Sequence, residues 1–226
     1  MEIKERLADS TNYHAGRTEP IEWLVFHYDA NDGATDENNG DYFANNEHLN
    51  ASANYFVDED SATRTVKDTD TAWHCGATKY VHPYCRNANS LGIEICSEID
   101  ENGNYYFTEA TLANAIELGR LKMAEYGIDI NHCLRHYDVT GKNCPAPFVI
   151  NPEAWTDFKK RLEVSEMSEN TGDNPSYWAV EHTKWAKGKV TNGDGEGNYD
   201  WQGTPTKEWI VTVLHNFALA YGLEKE

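Results

Sequence analysis

The chain has 226 residues, enough for one well-packed core and a small second unit. Hydrophobic residues make up 39% and charged residues 25%, and no apolar run reaches the ~18 residues of a membrane-spanning helix. A formal net charge of -19 excludes nucleic acid as the main partner, because neutralising phosphates needs a surplus of Lys and Arg.

The N-terminal stretch MEIKERLADSTNYH alternates in charge and has no apolar segment, so neither a signal peptide nor membrane insertion is expected. IEWLVFHYDA (21–30) is apolar and rich in β-formers, which predicts a buried strand with His27 at its end. An acidic, Asn-rich stretch follows, with a helix expected around DYFANNEHL. ASANYFVDEDSATRTVKD reads as a hairpin turning at Asp58 to Ser61, and SLGIEICSEID as another short strand carrying Glu94 and Cys96. Thr108 is a predicted N-cap for a helix whose apolar stripe includes Leu112, Ala115, Ile116 and Met123, and Gly127 ends it. Gly119 lies on that stripe, where a missing side chain admits a close neighbour. NHCLRHYD reads as a strand and NPEAWTDFKKRLEV as a last helix.

The predicted fold class is therefore α/β, a central mixed β-sheet flanked by helices over residues 1–164. The polar stretch SEMSENTGDNP (165–175) reads as a linker. Residues 176–226 are expected to form a small helical domain, in which Trp178 and Trp185 mark one predicted helix and Trp209 the next. A unit this small has a marginal core, so it leans on the first domain or on a second copy, giving a possible homodimer. Its loop NGDGEGNYD carries oxygen ligands, but counting from Asp194 the closing position is Pro205, so no calcium site is expected.

Five cysteines, Cys75, Cys85, Cys96, Cys133 and Cys144, make an odd count that favours reduced thiols. Only Cys144, in RHYDVTGKNCPAPF, has a histidine at a suggestive distance. His27, His136 and Cys144 together offer two imidazoles and a thiolate, a three-ligand zinc set that leaves a fourth position for water. Packing roles remain the alternative for each of the three, as a solvent-facing strand end does for Glu94 and an exposed loop for Lys142.

FHYD, AWHCG (72–76), SLGIEI (90–95) and RHYDVTGKNCP (135–145), in this order, resemble the zinc-dependent N-acetylmuramoyl-L-alanine amidases of the amidase-2 family over roughly residues 20–163. The resemblance implies one Zn2+ held by His27, His136 and Cys144, with Glu94 as general base toward water and Lys142 stabilising the oxyanion. It implies that His74, Asn54 and Trp73 bind substrate, with a core or structural role the alternative for His74; by proximity alone, Tyr137 and Asp138 are expected to orient the histidine they follow. A tyrosine found near the site in some members aligns with Ala53 here, which leaves the acid–base role to Glu94 alone.

The C-terminal segment, with YWA, GKVTNGD, Tyr199 and PTKEW, is similar to a single S-layer-homology repeat, which implies wall binding through Trp178, Trp185 and Trp209. The whole then reads as a phage endolysin acting on bacterial peptidoglycan and wall polymers. It would be held in the host cytoplasm until a holin opens the membrane. A binding-only recognition protein and a cytoplasmic amidase that recycles wall fragments are the alternatives.

Overall fold

The computed structural model describes residues 1–163. The expected linker, the unit 176–226 with Trp178, Trp185 and Trp209, and any dimer contact through that unit lie outside the described residues. Six strands form the central sheet: β1 Glu2–Glu5, β2 Trp23–Tyr28, β3 Tyr55–Val57, β4 Ser61–Arg64, β5 Ser90–Ile95 and β6 Cys133–Arg135. Their order across the sheet is β1-β4-β3-β5-β2-β6. All neighbours run parallel except β3 and β4, the hairpin closed by Asp58, whose Oδ1 accepts from the amides of Asp60 and Ser61. This is an α/β fold with a mixed sheet flanked by helices.

Strand alternation separates the two faces of this sheet. One face presents Leu24, Phe26, Tyr55, Val57, Leu91, Ile93 and Ile95, all buried against α2 (Glu109–Tyr126) and α5 (Pro152–Glu163). Phe26 meets Phe158 edge-on with ring centroids 5.0 Å apart, and Trp155 and Phe148 complete the aromatic layer. The opposite face presents Trp23, Val25 and His27 from β2, Phe56 from β3, and Ser90, Gly92 and Glu94 from β5. There α1 (Asp36–Asn45) packs Phe43 on Phe56, and this face carries the chemistry.

Local rules place the helix ends. Thr108 Oγ1 accepts from the Thr111 amide and Gly127 adopts φ 66°, so α2 starts and stops where its capping residues predict. Gly119 admits its neighbours as anticipated, since a Cβ there would lie 2.6 Å from Leu162 Cδ2 and 3.2 Å from Phe26 Cζ. Helix α1 begins earlier than the expected DYFANNEHL because Thr35 and Asn38 form a reciprocal capping box.

NHCLRHYD departs from its single-strand expectation. Only Cys133–Arg135 pair with β2, and a short helix α3 (His136–Thr140) starts immediately afterwards. Asp138 Oδ2 accepts from the Arg135 amide, which turns the chain into that helix at His136. Helix α4 (Ala146–Ile150) follows the loop. Among the described residues, no helix is long and apolar enough to cross a membrane.

Candidate metal centre and active-site cleft

His27 occupies the penultimate position of β2 and is 1% exposed. Its register partner on β5 is Glu94, so the ladder itself sets these two side chains beside each other on one face. His27 Nδ1 lies 3.9 Å from Glu94 Oε1 and 3.7 Å from Cys144 Sγ. His136 reaches the same point from the first residue of α3, its ring centroid 4.6 Å from that of His27. Cys144 is brought back by the loop after α3, closed where the Tyr137 amide donates to the Cys144 carbonyl at 2.8 Å. One ligand atom from each of His27, His136 and Cys144 falls within 4.8 Å of the other two.

The electrostatics of this cluster come from burial. Desolvation, then the neighbouring His136, His74 and Lys142, holds the His27 imidazole well below its usual pKa. Burial, then the Lys142 charge and His74, pushes His136 down to about 3. Burial and the adjacent Glu94 push the Cys144 thiol up to about 12. Glu94 rises well above the usual carboxylate range, first from desolvation and then from Asp29, with Lys142 opposing. A pocket that keeps both imidazoles neutral supplies them as lone-pair donors, and a cation placed among them would draw the proton from the thiol.

The residues fit a metal ion. His136 Nδ1 and Glu94 Oε2 are buried polar atoms without a hydrogen-bond partner, an arrangement that costs free energy unless a ligand completes it. Two nitrogens and one sulfur form a donor set suited to zinc, and the cluster opens on one side into a cleft of about 720 Å³. Tyr28, Asp29, Trp73 and Lys142 line that cleft with the ligands and Glu94. A second groove of about 630 Å³ shares Trp73, His74, His136 and Lys142 with it and continues toward Lys79, so the two channels meet at the centre.

The structure thus brings together His27, Glu94, His136, Lys142 and Cys144, with Trp73 and His74 alongside. Asn54 departs from its expected substrate role: it is fully buried, its Oδ1 accepts from the Gly92 amide at 3.0 Å, and its Nδ2 donates to the Val66 carbonyl. It bridges β5 to the segment after the β3–β4 hairpin and does not line the cleft. Tyr137 and Asp138 also depart from expectation. Asp138 is engaged by the Arg135 guanidinium at 2.7 Å, and Tyr137 lies 42% exposed beside the same guanidinium, so neither steadies His136. His132 packs on Trp23 and pairs with Asp129, away from the ligands.

Sequence reasoning did not single out Asp29, which accepts from both the amide and hydroxyl of Ser97 and from Asn39, fixing the rim of the cleft beside Glu94. Its position two residues past His27 was the available signal. Ala53 is buried and leaves no tyrosine at that place, while Tyr28, the residue after His27, lines the cleft.

Comparison with known proteins agrees with this geometry. The chain is 34% identical over 151 residues to the N-acetylmuramoyl-L-alanine amidase CwlL of Bacillus licheniformis, covering 63% of this chain but 41% of that protein's length. The structure of PlyL superposes with a TM-score of 0.61 at 25% identity, covering 74% of this chain and 100% of that one. A mutant endolysin from Bacillus subtilis gives 0.59 at 25% identity, over 72% of this chain and 99% of that one. The family model described as N-acetylmuramoyl-L-alanine amidase matches residues 17–147, a span that contains all three ligands, Glu94 and Lys142. On that match and the fold around it, the chain belongs to the Amidase_2 family.

Proposed function

We propose that the protein is a zinc-dependent peptidoglycan hydrolase that cleaves the amide between the lactyl group of N-acetylmuramic acid and the L-alanine of the stem peptide. The observation that carries this reading is the convergence of His27, His136 and Cys144 on one point, with Glu94 Oε1 3.9 Å from His27 Nδ1 and Glu94 Oε2 buried without a hydrogen-bond partner. Membership of the amidase family supplies the bond to be cleaved. Bound by these three residues, zinc supplies Lewis-acid polarisation of the scissile carbonyl and brings water near ionisation at neutral pH.

The chain's own groups do the rest. Glu94 sits on a desolvated strand end that raises its affinity for a proton, which suits a base that takes a proton from attacking water and returns it to the leaving amine. Lys142 projects from the loop between the two other ligands into both channels, where its ammonium offsets negative charge developing on the carbonyl oxygen. Trp73, which lines both channels, gives an apolar face on which the glycan or peptide arm can rest.

The likeness to an endolysin structure supports action on cell walls; release from a host cytoplasm belongs to the same reading. Residues 176–226, through Trp178, Trp185 and Trp209, take the wall-binding role in this reading, with dimerisation as a second use of the same unit. Mass spectrometry of digested peptidoglycan tests the central claim. New free L-alanine amino termini are expected, abolished by a chelator and restored by zinc. New reducing sugar ends, or cleavage unaffected by metal removal, would overturn it.

A further inference from the structure

His74 carries a function that its sequence context did not indicate. Its ring stands perpendicular to that of His27, with centroids 5.1 Å apart, and its Nδ1 lies 3.0 Å from His27 Nε2. On its far side, His74 Nε2 lies 3.0 Å from Ser90 Oγ. Ser90 Oγ in turn lies 2.6 Å from the backbone carbonyl of Arg86.

For a neutral His74 ring this chain of contacts has only one self-consistent direction. A carbonyl oxygen can only accept, so the Ser90 hydroxyl spends its single proton on Arg86. Ser90 Oγ must then accept from His74, which places the His74 proton on Nε2 and leaves Nδ1 as an acceptor. His27 Nε2 therefore donates, and the lone pair of His27 is confined to Nδ1, the atom 3.7 Å from Cys144 Sγ. A backbone carbonyl thus dictates, through two side chains, which nitrogen of His27 is free to bind a metal.

Strand β5 is shaped to hold this arrangement. Ser90, Gly92 and Glu94 alternate onto one face, so the hydroxyl that ends the relay and the proposed base stand on the same strand. Between them Gly92 leaves the space that His74 fills: a Cβ there would lie 2.5 Å from His74 Cγ and 2.9 Å from Cδ2. The backbone of His74 is fixed as well, its amide and that of Cys75 both donating to Asn87 Oδ1.

The geometry points to His74 as a positioning residue for the metal ligand His27, setting its tautomer and ring orientation through the relay to Ser90 and the Arg86 carbonyl. The inference rests on the zinc reading above. Carbonyl-anchored partners of ligating histidines raise metal affinity because the ligand enters the complex already oriented.

The test measures zinc affinity of the metal-free full chain by competition with a chromophoric chelator, with thermal unfolding of each metal-free protein alongside. His74→Ala is expected to weaken zinc binding about 10- to 100-fold. His74→Asn keeps an acceptor near the place of Nδ1 and should lose less, and Ser90→Ala, which frees the His74 tautomer, should also lose affinity. Ring nitrogen chemical shifts should show His27 protonated at Nε2 in the wild type and as a tautomer mixture in His74→Ala. Should His74→Ala fail to fold, His74→Asn and Ser90→Ala decide by the same measurements. Folded variants that bind zinc as the wild type does, with at most a lower melting temperature, would reduce His74 to a packing residue and overturn the inference alone. A wild type that binds no zinc would overturn the zinc reading itself and the inference with it.

Discussion

Gly92→Ala tests the link between strand β5 and the metal centre with a single methyl group. The added Cβ would meet His74 Cγ at 2.5 Å, Cβ at 2.8 Å and Cδ2 at 2.9 Å. Carbon pairs prefer about 3.5–4.0 Å, so roughly 1 Å must be recovered. The strand cannot yield it, because β5 is paired on both sides and Gly92 exchanges hydrogen bonds with Asn54 through its amide and its carbonyl. The imidazole must move, and a shift of that size breaks its 3.0 Å contacts with both His27 and Ser90. Overpacking costs about 1–3 kcal/mol, and the lost hydrogen bonds raise the total toward about 3 kcal/mol. In a chain of this size that corresponds to a melting temperature lower by roughly 6–12 °C. Calorimetry of the metal-free protein reads the stability, and chelator competition reads the accompanying loss of zinc affinity. Gly119→Ala is the control, since its Cβ would press on Leu162 Cδ2 and Phe26 Cζ, on the face of the sheet opposite the candidate ligands, and should lower stability without changing zinc affinity. A Gly92→Ala protein with an unchanged melting temperature and unchanged zinc binding would refute the packing argument.

Four further outcomes are expected. Glu94→Gln should retain zinc, measured by elemental analysis, while the rate of turbidity loss in wall lysis drops by about 10²–10⁴-fold; retained activity would remove the base from Glu94. Lys142→Met should lower the maximal rate by about 10²–10³-fold at full zinc occupancy, and a change in substrate affinity alone would assign the lysine to binding. Zinc affinity should climb with pH by about tenfold per unit between pH 6 and 8, because the Cys144 thiol, held at about 12, must give up its proton on coordination. The two imidazoles, both held below their usual range, add nothing to that slope, and a pH-independent affinity would contradict the ligand assignment. Lys122→Met should cost about 3–5 kcal/mol in denaturant unfolding, since it strands the buried Asp68 that Lys122 pairs at 2.7 Å; an effect below ~1 kcal/mol would show that Tyr55 and Tyr126 suffice as partners.

The elements most legible in the sequence are those specified by neighbours in the chain. Helix α2 carries its own start and stop in Thr108 and Gly127, and the hairpin carries Asp58 at its turn. The strand sequences WLVFHY and SLGIEI announce themselves by composition. His27, His136 and Cys144 could be named because their residue types have a joint chemistry that their separate positions do not hide, whereas Glu94 and Lys142 took their roles from the resemblance to the amidase-2 family. The misreadings came from partners that residue type alone does not reveal, whether near in the chain or far. Asn54 looks like a polar groove residue until its partner, the Gly92 amide 38 residues away, is known. Asp138 follows a ligand in sequence, yet the Arg135 guanidinium claims its carboxylate. His74 meets His27 across 47 residues, and no local pattern distinguishes such a histidine from one that merely lines a groove. Strand β1 carries one apolar residue, Ile3, between charged ones, and only the parallel pairing with β4 makes it a strand.

The three ligands are unequally anchored. His27 belongs to a strand paired on both sides in the middle of the sheet, whereas His136 and Cys144 follow β6, the strand at its edge. Openings of a native protein run from cheap local fraying to global unfolding, and elements bonded on one side open before those bonded on two. The centre therefore has a standing half and a releasable half. If the zinc reading holds, exchange of a bound ion would proceed by lifting the segment from His136 to Cys144 while His27 and Glu94 stay in register. Amide hydrogen exchange across that segment would then read the free energy of that opening, expected below the cost of unfolding the sheet.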